Sequence, residues 1–479
     1  MSLIYGNREQ MSLLPKSIEE YVGEDDPVRV YDAFVEQLDF KKLNISITLN
    51  NNGHPLYDPK AMLKLVLYGY SYGIRSSRKL ERATYHNLSF IWLTGGLKPD
   101  HKTISRFRKN NLVTIKDLLK QCARLCLELN LIEGNTLFVD GSKIRGNASI
   151  KNTWTKEKCE RALEHIDENI KEILKECQKE DKEEKKHGSY VKLKGELKDK
   201  KKMKREVKEI LEKLSRKNLD SINTVDEECT RIKSVQGSHV GYNSQIVVDK
   251  KHGLIVNSDV VNENNDLNQF ATQIEQANKV LEKDCKIACA DSGFANTPEL
   301  ERIDKQGIKV IVPSSRQIAN REVKDFDRDN FKYDEKNDYY ICPAGEQLIP
   351  KRIDEKSNSQ IYGPTSRNVC KSCRHFGVCT KARDGRRIYR LLNEVTRLRF
   401  EKQFERKKSQ KIYKLRQQKV ELPFGHIKRN LGVSSFLIRG KEGAKAEMSL
   451  LSSCFNIRRM MTIVGVKKLI RKLNKRKVA

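Results

Sequence analysis

The sequence predicts an α/β fold with a mixed sheet, broken by two inserts and preceded by an all-helical region; three observations predict it. Two apolar runs, Leu137-Phe138-Val139 and Ile287-Ala288-Cys289-Ala290, each close on a carboxylate, Asp140 and Asp291. Strand-like and helix-like periods alternate from Gly241 to Pro313. Before Thr136, by contrast, apolar residues keep spacings of three and four throughout.

Residues 1–134 therefore read as one helical domain. Val28 to Leu38 is an apolar-periodic helix, and Asp58-Pro59-Lys60 starts another with Pro in its first turn. Gly73-Ile74-Arg75-Ser76 punctuates that helix, and Ser77 is the expected cap of the next. Pro99-Asp100 then turns into a short helix bearing Lys102, Thr103, Ser105, Arg106 and Arg108. Two helices and a tight turn with such a face, over about 58–111, resemble a helix-turn-helix that reads the major groove.

Residues 135–320 hold the first part of the α/β core. Its opening strand, Thr136 to Asp140, ends at the carboxylate. Residues 154–220 form an insert of different character, in which two amphipathic helical stripes, broken at His187-Gly188-Ser189, predict a charged hairpin with solvated outer faces. Trp154 at its base is read as a packing residue. Gly241 to Asp249 and Leu254 to Val261 make a β-hairpin, with Asp249 and Asp259 at ordinary solvent-facing positions. Helix Asn268 to Leu281, strand Ile287 to Ala290, helix Thr297 to Lys305 and strand Val310 to Pro313 follow. Residues 335–387 read as an irregular, cysteine-bearing insert. The chain is expected to be helical from Ile388 onward, with 388–465 completing the core and 466–479 trailing as a basic tail.

Charge narrows the partner. Of a net +30, the stretch from Lys381 to Ala479 supplies +22, from 29 Lys and Arg against 7 Asp and Glu. A field of that sign implies a polyanion, because each cation that neutralises a phosphate releases a counterion. No run approaches 18 consecutive apolar residues, so no membrane partner and a cytoplasmic location are expected. Of the 12 cysteines, Cys122, Cys126, Cys159, Cys177, Cys229, Cys285, Cys289 and Cys454 sit in apolar or helical contexts and are expected to pack.

If the strands ending in Asp140 and Asp291 are adjacent, their carboxylates aim at one point, the geometry of a divalent-metal site. Phosphodiester chemistry needs charge neutralised at the attacking and leaving oxygens, and hard ions such as Mg²⁺ (or Mn²⁺) want carboxylate oxygens. Glu421, an isolated acid in the most basic part of the chain, is the best third ligand. Pro423 disfavours the α conformation at Leu422, so a helix is expected to start or kink there.

The order Phe138-Val139-Asp140-Gly141-Ser142-Lys143, Ala290-Asp291-Ser292-Gly293-Phe294 and Val420-Glu421-Leu422-Pro423-Phe424-Gly425-His426-Ile427-Lys428 resembles that of bacterial insertion-sequence transposases of the DDE type. The resemblance implies an RNase H-like core holding Asp140, Asp291 and Glu421. It also implies phosphate contacts from Lys428, Arg416 and Tyr413, although Tyr413 and Arg416 stand one residue further from Glu421 than in such relatives. It further implies that an activated water cleaves the element end and that the freed 3′-hydroxyl attacks target DNA. The N-terminal face would then read terminal inverted repeats of double-stranded DNA, with a homodimer holding two ends, the hairpin as a contact, and a nucleoid location in a bacterial cell. The alternatives are an RNase H-like nuclease without transposition and a DNA-binding protein that has lost catalysis.

Cys342, Cys370, Cys373 and Cys379 remain. One close pair and two singles supply the four thiolates of a structural Zn²⁺ site, with His375 a spare ligand.

Overall fold

The protein is described by a computed structural model over residues 17–40, 56–180, 187–234, 237–318, 324–355 and 358–477. The elements in chain order begin with α1 (Val28–Glu36), α2 (Pro59–Ser71), α3 (Ser77–His86), α4 (Leu88–Leu93), α5 (His101–Asn110) and α6 (Leu112–Glu128). Next come β1 (Thr136–Arg145), β2 (Thr153–Trp154), α7 (Lys156–Glu180), α8 (His187–Arg216), β3 (Ile222–Asn223), β4 (Thr230–Ser234), β5 (Gly237–Asp249), β6 (Ile255–Val261) and α9 (Phe270–Leu281). Then follow β7 (Ile287–Cys289), α10 (Thr297–Asp304), β8 (Lys309–Ile311), α11 (Ser315–Ile318), β9 (Lys332–Asp334), β10 (Tyr339–Ile341), β11 (Gln347–Asp354) and β12 (Ser359–Pro364). The chain closes with α12 (Arg367–Lys371), β13 (Ile388–Leu391), α13 (Glu394–Glu405), α14 (Lys407–Gly425), α15 (Lys441–Val464) and α16 (Val466–Lys477). The structure is mixed α/β and divides into two compact units, the first Met1–Asp266, Gln273–Asp284 and Gln417–Ala479, the second Leu267–Thr272 and Cys285–Arg416.

In the first unit, two helices are capped by the carboxylate that precedes them. The Asp58 carboxylate accepts from the Lys60 and Ala61 amides and the Asp100 carboxylate from that of Thr103, satisfying donors that have no partner within the helix. Ser76, not Ser77, is the N-cap of α3. Helices α2 and α6 pack on α15, whose surface from Gly443 to Ile457 is buried nearly all round. Its small residues, Ala444, Ala446, Ser449, Ser452 and Ser453, let those neighbours approach closely. Gly69 serves the same end in α2, since a Cβ there would stand 2.2 Å from Leu80 of α3. Each fully buried Leu, such as Leu63, Leu65 or Leu118, contributes about 1.5–3 kcal/mol.

Strand β5 pairs antiparallel with β1, β4 and β6, and Asp140 stands opposite Ile246. Strand β1 does not end at Asp140 but continues to Arg145, because Gly241 to Gln245 offer it a ladder that far. Asp249 and Asp259 are buried rather than solvent-facing. Asp249 accepts amides from Gly134 and Lys251 at 2.8 Å each, and Asp259 pairs with Lys445 at 2.9 Å, so each carboxylate has the partners burial demands.

Helices α7 and α8 form the charged hairpin, closed by Cys159, Ile166, Val207 and Leu214 with Trp154 packed against them. His187-Gly188-Ser189 lie inside α8 and do not interrupt it, and residues 181–186 lie outside the described residues. The basic tail does not trail. It forms α16, which packs on α1 with Leu469 and Leu473 fully buried, an apolar stripe that the lysines had concealed.

In the second unit, β7 and β8 are parallel, flanked by α10 and α13. The cysteine-bearing insert is not irregular. It is a five-stranded antiparallel sheet, order β13-β12-β11-β10-β9, closed over Phe331, Tyr340, Leu348, Tyr362 and Ile388. The helical stretch expected from Ile388 begins only at Glu394, because Ile388–Leu391 adds the edge strand β13. The eight cysteines expected to pack are all buried.

Candidate active site and nucleic-acid interface

Within the first unit, Asp140 sits half-buried on β1 with Ser142 on the same face two residues later. Lys428 reaches that face and donates to the Ser142 Oγ at 2.6 Å. Lys428 lies at the surface, yet crowding protein atoms push its ammonium pKa down while the charge of Asp140 pulls it back up. A cation held beside a carboxylate on a strand is equipped to meet a phosphate oxygen. The Ser142 contact was not foreseen; Ser142 in the quoted motif was the signal.

Glu421 is exposed on α14 and accepts from Gln417 at 3.0 Å, one helical turn earlier. Helix α14 does not start at Pro423 but runs through it to Gly425. The missing amide costs one bond in the last turn, and the chain then passes into a π-helical turn, His426–Asn430, which carries Lys428. Pro423 and Phe424 are buried, which pins this end.

Within the second unit, Asp291 lies two residues after β7. One oxygen accepts the Gly293 amide at 2.9 Å, the local turn role of such a residue, and the other lies 3.8 Å from the Arg416 guanidinium. Arg416 also stands 5.6 Å from the Tyr413 ring centroid, and Tyr413 packs edge-on against Phe404. Burial raises the Tyr413 hydroxyl's pKa, with Asp291 adding to the rise and Arg416 opposing it. The Cys289 thiol beside them is pushed up to about 12, chiefly by burial, so it packs rather than reacts.

The N-terminal face keeps part of the predicted set. Lys102, Ser105 and Arg106 of α5 are exposed and line an open groove with Lys109 and with Ser76, Ser77 and Arg78 at the start of α3, whereas Thr103 is half-buried and outside that groove. Arg108 does not belong to it. It is buried, donating to the Tyr70 hydroxyl at 2.9 Å, the Arg75 carbonyl at 2.8 Å and the Ser77 Oγ. Its place is taken by Lys109, which helical spacing brings onto the face of Ser105 and Arg106.

In the cysteine-bearing sheet, Cys342, Cys370, Cys373 and Cys379 line one small cavity of about 30 Å³ with His375 at its edge. Cys342 Sγ accepts the Glu346 amide at 3.3 Å, and a Cβ on Gly385 would stand 2.9 Å from Cys370 Sγ. Burial raises the Cys379 thiol's pKa, and the three other thiols raise it further against Arg386. Among the described residues, no three His, Cys, Asp or Glu side chains are drawn close enough to hold a metal ion as they stand. No described helix is long and apolar enough to cross a membrane.

Residues 16–110 match the model of a transposase domain of the DUF772 family, and residues 341–461 match that of a transposase DDE domain. The second match contains Tyr413, Arg416, Glu421, Lys428 and all four clustered cysteines. No curated protein matches the chain. A cryo-EM structure of a piggyBac transposase synaptic complex with hairpin DNA aligns over 95% of this chain and 82% of its own, at 12% identity and a TM-score of 0.34, too low to establish a common fold.

Proposed function

We propose, from the premise that this chain is a DDE-type transposase, that it binds the terminal inverted repeats of an insertion sequence and catalyses DNA strand cleavage and strand transfer. The observation that carries this reading is the DDE-domain match over residues 341–461, within which Glu421 and Lys428 lie. In it, Asp140, Asp291 and Glu421 are the metal ligands of an RNase H-like core. Three carboxylates suit hard divalent ions such as Mg²⁺ or Mn²⁺ in kind. When bound, such ions neutralise charge at the attacking and leaving oxygens of a phosphodiester. Lys428, steadied by Ser142, and Arg416, stacked by Tyr413, would hold phosphate oxygens near the scissile bond. Strand cleavage of DNA carrying the element's own ends, assayed in Mg²⁺, tests the reading; failure to nick either strand at those ends would overturn it.

The groove between α3 and α5 is the proposed DNA-reading surface, and two DNA ends call for a homodimer on DNA in the bacterial nucleoid. Arg106→Ala is expected to weaken binding to repeat-bearing DNA roughly tenfold without lowering thermal stability, as for one lost charged contact to DNA. Arg108→Ala is expected to do the reverse, through lost stability. Equal effects of the two on binding, at equal stability, would return Arg108 to the reading face.

The cysteine sheet is proposed to carry a structural Zn²⁺. Four thiols lining one cavity, with an amide already bonded to Cys342 Sγ, fit the ion in kind once the side chains turn inward. About one zinc per chain is expected in purified protein, with a chelator lowering the melting temperature. Zinc-free protein whose melting a chelator leaves unchanged would remove the site.

A further inference from the structure

The charges of the helical hairpin are not shared evenly. Helix α7 carries 6 Lys and Arg against 8 Asp and Glu, whereas α8 carries 11 against 5. At about 100° per residue, Lys194, Lys198, Lys201, Arg205 and Lys208 fall within a sector of roughly 80° on α8. All five are exposed and line one shallow groove. Of the five acids of α8, Glu196, Asp199, Glu206 and Glu209 lie outside that sector and Glu212 lies in it, one turn beyond Lys208, while the apolar stripe of Val207, Leu211 and Leu214 faces α7 on the opposite side. Lys204, at the border, is the cation that α8 gives to α7, through Asp167.

A solvated face would be expected to intersperse its signs, since like charges three and four apart each cost a helix about 0.2–0.5 kcal/mol. Here Lys198, Lys201, Arg205 and Lys208 form three successive repulsive pairs. Glu209 and Glu212 stand one turn beyond Arg205 and Lys208, whereas Lys198 and Lys201 have no acid three or four positions away, and a partner of opposite charge relieves the repulsion left in the row. From Lys194 to Lys208 the row runs about 21 Å, the axial length of about six phosphates on one strand of a duplex.

We propose that this face of α8 is a phosphate-backbone contact for double-stranded DNA, separate from the groove of α3 and α5 and from the catalytic residues. It would add sequence-independent affinity, holding DNA whose bases are read elsewhere. The inference rests on the reading of the chain as acting on DNA, and its test separates the two.

Binding of the full-length protein to a duplex carrying the element end is measured against salt concentration with no Mg²⁺ or Mn²⁺ added, where no cleavage occurs. The combination Lys198→Gln, Lys201→Gln, Arg205→Gln and Lys208→Gln is expected to reduce the slope of log K against log salt by about 3 to 4, near 0.9 per lost phosphate contact. The lighter pair Lys201→Gln and Arg205→Gln is expected to give about half that, and serves if the fourfold variant fails to fold. A control removes four interspersed exposed cations of α7, with Lys156→Gln, Arg161→Gln, Lys171→Gln and Lys175→Gln, and is expected to leave the slope within about 1. An unchanged slope in the α8 variants, or an equal change in the control, overturns the proposal. So does a change confined to oligomeric state, which would assign the stripe to the acidic α7 of a second copy. Wild-type protein that binds no duplex at any salt would overturn the functional reading itself.

Discussion

Asp140→Asn is expected to abolish strand cleavage, by roughly a thousandfold or more, while leaving binding of DNA ends within about twofold of wild type. Asparagine keeps the shape and position of the side chain on β1 but removes the negative charge that a divalent ion needs. It also removes the carboxylate whose field acts on Lys428. The proposed reading surface on α3 and α5 does not include Asp140. A gel assay in Mg²⁺, with binding measured in parallel, checks this, and a variant that still cut element ends would show the ligand assignment wrong. Asp249→Asn supplies the contrast. That carboxylate is buried and spends its oxygens on backbone amides, so its loss should lower stability rather than chemistry in the folded fraction.

Glu447→Gln is expected to destabilise the first unit by about 3–5 kcal/mol, a large part of a typical domain's total stability. Glu447 is fully buried in α15. One oxygen meets the Arg75 guanidinium at 2.7 Å and the Tyr70 hydroxyl at 3.2 Å. The other accepts the Leu437 and Ile438 amides at 2.7 and 3.1 Å. Glutamine preserves the shape but leaves Arg75, itself buried, with an uncompensated charge, its bond to the Ser435 carbonyl notwithstanding. Denaturant unfolding monitored by circular dichroism measures the loss. Pairing Glu447→Gln with Arg75→Met should recover part of it, because the stranded charge is then gone. A loss below about 1 kcal/mol would mean that solvent or movement replaces the pair.

How much of this could be read in advance depended on how local the determining physics was. The helix starts at Asp58-Pro59 and Pro99-Asp100 were legible because proline and aspartate punctuate the chain locally, whereas the cap of α3 fell on Ser76 rather than Ser77. The β5–β6 hairpin and the α7–α8 pair were legible from their periods. Five strands between Lys332 and Leu391 were missed because three of them have only three or four residues and their polar faces hide the alternation of Tyr340, Leu348, Tyr362 and Ile388. The five extra residues of β1 depend on pairing with β5, about 100 residues away. For the proposed site, the choice of Asp140, Asp291 and Glu421 rests on their motifs alone. The partners Ser142, for Lys428, and Glu447, for Arg75, are fixed by contacts across hundreds of residues. Glu447 did leave a trace, as an acid in an otherwise apolar helical stretch. Arg108 looked like its neighbours on α5, and only the packing of α5 on α3 turns it inward.

The ion pair between Arg75 and Glu447 joins residues 372 positions apart, and α15, which supplies the core under α2 and α6, is among the last helices made. At about 5–20 residues per second, Arg75 waits on the order of 20 to 70 s on the ribosome before its partner is synthesised. During that interval the faces of α2 and α6 that meet α15 have no native cover. A message cut short before Glu447 therefore yields a protein that carries the α3–α5 groove but lacks the helix under it. Translation to the final helices thus acts as a checkpoint: a nascent or truncated chain has Asp140 and Asp291 in sequence, and neither the charge partner nor the core that the finished unit requires.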